Sequence, residues 1–97
     1  MFVSPAYAGT TTADFLKWER KSQDAFLQNS ISMAGVIASQ TDPAISKCLD
    51  KWYFESDAVA QSRNEEILKL MPEYAQFRPQ AFVMAYIENA CGRFDRN

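Results

Sequence analysis

Histidine is absent from this 97-residue chain. The usual general base, the commonest metal ligand and the only side chain that ordinarily titrates near neutrality are therefore missing. Serine–histidine and cysteine–histidine nucleophile pairs are excluded with them. Glycine occurs three times and proline four times. No glycine-rich loop is present to cradle a phosphate, and most of these residues stand where helices would start or stop. Lys and Arg total 10 against 12 Asp and Glu, for a net charge of −2. The basic residues never cluster beyond pairs such as Arg20-Lys21, so the electrostatic footprint of a nucleic-acid partner is lacking. No stretch reaches the roughly 18 apolar residues of a membrane span. The adjacent carboxylates Glu65 and Glu66 fall in the first turn of an expected helix, where acids serve the helix dipole. The sequence thus offers no catalytic residue, no metal-ligand set and no cofactor motif, and the expectation is a protein that is not an enzyme.

What is present argues for a folded chain. Hydrophobic residues make up 47% and aromatics 13% of it, enough apolar surface to close a modest core in one domain. Few breakers and no useful length of period-two alternation point to an all-α domain over 10–97, with about four helices arranged as a bundle or an orthogonal array. Residues 1–9 stand apart. Ala6-Tyr7-Ala8 has the small-x-small form of a signal-peptidase site behind an apolar stretch, which reads as a signal-peptide remnant and an exported protein. The alternative is a flexible N-terminal arm. The two cysteines suit an exported domain: Cys48 and Cys91 are expected to form a disulfide, and closing a loop of that length is worth about 4 kcal/mol. Two buried thiols are the other reading. Their separation lacks the close Cys-x-x-Cys spacing of redox enzymes.

Taken in order, the chain suggests a first long helix from an N-cap at Thr12 to about Ser39, with Asp14 in its first turn. Its stretch from Glu19 to Asp24 is almost wholly polar and is expected to project or bend away from the core. Asp42-Pro43 caps and opens a second helix whose stripe is Ile45, Cys48, Leu49 and Trp52. A break near Phe54 to Ala60 is expected, followed by a third helix opened by a capping box at Ser62 to Glu65 and ended by Pro72. Tyr74 and Phe77 are expected to tuck over the core. The last helix runs from Pro79 to a glycine stop at Gly92. Phe82, Val83, Tyr86, Ile87 and Ala90 keep helical spacing there, and Met84 and Ala85 make the run apolar nearly all round. It is expected to be mostly buried, as the core on which the other helices pack, which points function away from it.

The aromatic residues exceed what so small a core can hide. Trp18, in the polar half of the first helix, and the run Trp52-Tyr53-Phe54, which must point in three directions, are the candidate partner-binding residues. The partner expected is a protein, with a homodimer burying part of this surface as a second expectation.

The opening Thr11-Thr-Ala-Asp-Phe-Leu16 and the closing Pro79-Gln-Ala-Phe-Val-Met-Ala-Tyr-Ile-Glu-Asn-Ala-Cys91 resemble the ends of the small HdeA/HdeB acid-stress chaperones and of the similar type VI amidase immunity proteins. The likeness covers the general layout from Thr11 to Phe94. It differs at the first cysteine, which lies at Cys48 rather than near Thr12. The resemblance implies a periplasmic or secreted helical binding protein without cofactor. Its role would be that of an acid-stress chaperone, or alternatively of an immunity protein that blocks a toxin; an exported helical domain of other function is the third reading.

Overall fold

The structure, a computed structural model, describes residues 10–93. The expected arm at 1–9 and the end of the tail, 94–97, lie outside the described residues. Among those described there are five α-helices and no strand: α1 (Thr12–Phe15), α2 (Arg20–Thr41), α3 (Pro43–Trp52), α4 (Asp57–Leu70) and α5 (Pro79–Cys91), with a 3₁₀ turn at Met71–Tyr74 between α4 and α5. The all-α expectation holds, and the extra helix comes from a division of the first one.

That division has a packing cause. Helix α1 opens one residue earlier than expected, at the N-cap Thr11, whose hydroxyl accepts from the Asp14 amide while Asp14 accepts from the Thr11 amide. Thr12 is instead buried. Its amide and its hydroxyl both donate to the Phe77 carbonyl, at 2.7 and 2.8 Å, and the Ala13 amide donates to Ala75. The free amides of the first turn are thereby spent on the segment before α5. The helix ends after Phe15, and the turn that follows brings the rings of Phe15, Trp18 and Phe26 together, with centroids 4.9 to 6.0 Å apart. No glycine or proline marks this turn. Gln23 braces it by donating to the Phe15 carbonyl at 3.1 Å, beside the Trp18 amide that the same carbonyl accepts at 3.0 Å.

The polar stretch Glu19 to Asp24 does not project from the core. Gln23 is buried, and Asp24 anchors a chain of polar contacts: Arg20 donates to it at 2.8 Å, the Asn64 amide at 3.1 Å, and Tyr53 donates its hydroxyl to Asn64 at 2.7 Å. These bonds join α2, the end of α3 and the middle of α4. Among the described residues, no buried side-chain polar atom lacks a partner.

Asp42 holds the N-cap position of α3 without a side-chain cap bond, and Pro43 takes the first helical place. The break after α3 falls where expected. Helix α4 then starts at Asp57 rather than after a cap at Ser62, because Ser56 caps it by accepting from the Val59 amide at 3.1 Å. Ser62 to Glu65 lies inside that helix. Pro72 sits in the 3₁₀ turn just past its end. Helix α5 keeps its expected bounds and stops at Gly92, whose φ of 106° suits a residue without Cβ.

The core is built on α2, not on α5. Leu27, Ile31, Ala34 and Ala38 form its buried stripe, and α3, α4 and α5 all pack against it. Ile45 and Leu49 come from α3, Ile67 from α4, Met71 from the 3₁₀ turn, and Phe82, Val83 and Ile87 from α5. Helix α5 was expected to be mostly buried, yet Met84 is 37% exposed, and Ala81, Ala85 and Ala90 are exposed as well. A helix so apolar lies at the surface because α2 covers only one side of it. Cys48 of α3 and Cys91 of α5 form the expected disulfide, with Cα atoms 5.7 Å apart.

Candidate functional site

From Ala25 through Thr41, α2 carries no Asp, Glu, Lys or Arg, and neither does α5 from Pro79 through Ile87. The core consumes only one stripe of each. The other side of α2 therefore presents an uncharged face to solvent, with Met33 61%, Val36 60% and Ile37 44% exposed.

Between that face and α5 runs an open groove of about 930 Å³. Its α2 wall follows helical spacing through Ser22, Ala25, Phe26, Asn29 and Met33, and its α5 wall through Gln80, Val83, Met84 and Ile87. Buried Val83 and Ile87 form the floor, while Met33 and Met84 stand at the mouth. Trp18 and Glu19 close one end, and Glu19 is the one charged side chain lining it. Two methionines at the mouth give it adaptable, polarizable walls. Such a site can take up apolar surface and can reward a single cation near Glu19. It aligns no nucleophile with a base.

The four aromatic candidates meet different fates. Trp18 is half-buried and lines this groove. Trp52 is also half-buried, and is held by the molecule itself: the Arg63 guanidinium lies 5.2 Å from its ring centroid, Tyr86 packs 5.7 Å away, and Arg63 donates to the Trp52 carbonyl at 2.8 Å. Arg63 also pairs with Glu66, which accepts the Tyr86 hydroxyl at 2.7 Å. Burial, reinforced by the hydrogen bond and charge of Glu66, pushes the Tyr86 hydroxyl up to about 12. Tyr53 is 1% exposed and belongs to the core, so its ring is not at the surface where a partner would meet it. Burial pushes its hydroxyl up as well. Phe54 is 39% exposed and lies against α2, where its Cε2 is 4.0 Å from the place a Cβ on Gly35 would occupy. The structure does not gather the four into one patch.

Of Tyr74 and Phe77, expected over the core, Tyr74 packs on buried Phe82 with centroids 5.1 Å apart while remaining 41% exposed, and Phe77 is instead 56% exposed, edge to face with Tyr74 at 5.8 Å. Their segment spends its backbone carbonyls on α1, which holds the chain near the surface. The groove was not legible from the aromatics. The signal that could have found it is the absence of charge on both faces of α2, a helix with solvent on one side. The last helix, from which the sequence points function away, supplies one of its walls.

Comparison with known protein families, with characterised proteins and with solved structures returns no match. Among the described residues, no helix is long and apolar enough to cross a membrane.

Proposed function

We propose that this chain is a small exported protein-binding domain that works without catalysis, of the HdeA-like type its two ends resemble. The observation that carries this reading is the largely apolar groove, charged only at Glu19 and already open in a fold stapled by a disulfide. Apolar surface of this kind on a small protein marks an interaction site. The disulfide supports an oxidising compartment, and a sequence without histidine supports a role outside acid–base chemistry. A preformed groove favours the immunity-type role, in which one fixed partner is bound at neutral pH.

An acid-stress chaperone is the second reading, and the position of Asp24 favours it. This single carboxylate accepts from both Arg20 and Asn64 and so helps join α2 to α4. At about pH 2, below the ordinary carboxylate range, the acids are neutral and the 10 Lys and Arg stand unopposed. Self-repulsion then loosens the packing and exposes apolar helix faces to clients.

The test has two arms. The tagged, oxidised protein is passed through periplasmic extract at neutral pH, and its ability to suppress aggregation of a client enzyme is measured at about pH 2. Recovery of one stoichiometric partner, lost on Met33→Asp, supports the fixed-partner role. Suppression in acid without such a partner supports the chaperone. Failure of both contradicts the binding reading.

A further inference from the structure

The groove also constrains the shape of what fills it. Its walls are helices whose backbone groups are spent on themselves, and its uncharged polar side chains are Ser22, Asn29, Ser30 and Gln80. An extended peptide laid along it would bury a row of amide and carbonyl groups with few partners, at a cost for each one left unpaired. A helix satisfies its own backbone and presents only side chains. Ridges at three- and four-residue spacing on α2 and α5 match the packing of a third helix between them. From Glu19 to Met33 the α2 wall extends about 21 Å at 1.5 Å per residue, the length of a helix of about four turns.

Charge narrows the choice. A carboxylate on the docked face would be desolvated without a partner anywhere along the groove, and an ammonium everywhere except beside Glu19. We propose that the α2–α5 groove binds a single amphipathic helix of about four turns, whose docking face is apolar and uncharged apart from one Lys or Arg at the end that meets Glu19. This rests on the protein-binding reading and gives its partner a chemistry. Recognition is helix-in-groove, with anchors at i, i+3, i+4 and i+7.

The experiment uses the intact, oxidised chain with isotope-labelled methionine methyls and two synthetic helical peptides. Both peptides carry Leu and Met at that spacing, and they differ only in a terminal Lys or Glu on the same face. Met33 and Met84 report on the groove, and Met71, fully buried elsewhere in the core, is the internal control. The expected result is saturable shifts of the Met33 and Met84 methyls with Met71 unmoved. The Lys peptide should bind about fivefold tighter than the Glu peptide, and Glu19→Lys should reverse that preference. Met84→Asp should weaken binding about tenfold with its melting temperature retained. If that variant does not fold, Met33→Asp at the more exposed mouth position takes its place.

No saturation at about 1 mM peptide would overturn the proposal, as would shifts confined to other residues. Concentration-dependent Met33 and Met84 shifts without peptide would show that a second copy fills the groove. Saturation by lauric acid below the peptide's range would show that an acyl chain does. Each of these also ends the proposal. Failure of the peptides while a stoichiometric partner is still captured would remove this inference and leave the binding reading standing. Peptide binding without any captured partner would leave this inference standing and remove the fixed-partner role alone.

Discussion

Tyr86 shows how one side chain can serve three helices. Its ring packs at a tilt against Trp52 of α3, its hydroxyl donates to Glu66 of α4 and it grows from α5, while Arg63 contacts both Trp52 and Glu66. Its hydroxyl is pushed from the ordinary 10.0 up to about 12, and that of Tyr53 is raised too. Both groups hold their protons more tightly folded than unfolded. Their contribution to stability is complete below the unfolded value and is lost as pH rises through the folded ones, for Tyr86 between about 10 and about 12. Ultraviolet titration should therefore show two tyrosines ionising later in the native protein than in denaturant, and one fewer in Tyr86→Phe. Asn64 is the other pivotal residue. It accepts from Tyr53 and donates to Asp24, so Asn64→Ala strands the buried Tyr53 hydroxyl, while Asp24 keeps Arg20. Urea denaturation should show a loss of about 1 to 3 kcal/mol, that of one unsatisfied buried group.

Helix α2 is the element on which the molecule depends, and it contains a built-in weakness. Gly35 lies in its interior, without positive φ, and a Cβ there would meet only the Phe54 ring at an ordinary 4.0 Å. Gly35→Ala should stabilise the fold by about 0.5 to 1 kcal/mol, read as a raised thermal midpoint. The bounds of α3 and α5 were legible in the sequence because Asp42-Pro43, Arg78-Pro79 and Gly92 state them in local chemistry. The division of α1 from α2 was not, since Leu16 to Glu19 holds no breaker. Its cause is long-range: Thr12 bonds to Phe77, and Gln23 to Phe15. The start of α4 was misread for a related reason. Ser56 and Ser62 are both suited to capping locally, and Ser56 is the one whose hydroxyl accepts from the helix, at the Val59 amide. The groove was invisible for a third reason. Helical periodicity marks which residues can be buried but does not show that α5 lies beside α2 with one apolar side uncovered.

At the scale of the whole molecule, the disulfide ties the C-terminal end of α5 to α3 across 43 residues, and α5 is one wall of the groove. The double variant Cys48→Ala/Cys91→Ala should lose about 4 kcal/mol, a fall of roughly 15 to 30 °C in melting temperature for a domain this size. Calorimetry of the oxidised protein and the double variant checks this. A core centred on α2, with α5 pinned at one end and open along its side, leaves a largely apolar groove, and the proposed binding role places the partner there. The most direct measurement is photo-crosslinking in the cell of origin, with a photoreactive phenylalanine analogue in place of Met33 and, separately, of Phe77. The expected result is one adduct from position 33, to a different protein, with the link on the apolar face of a helix. An adduct to a second copy of this chain, or adducts from position 77 alone, would contradict the account.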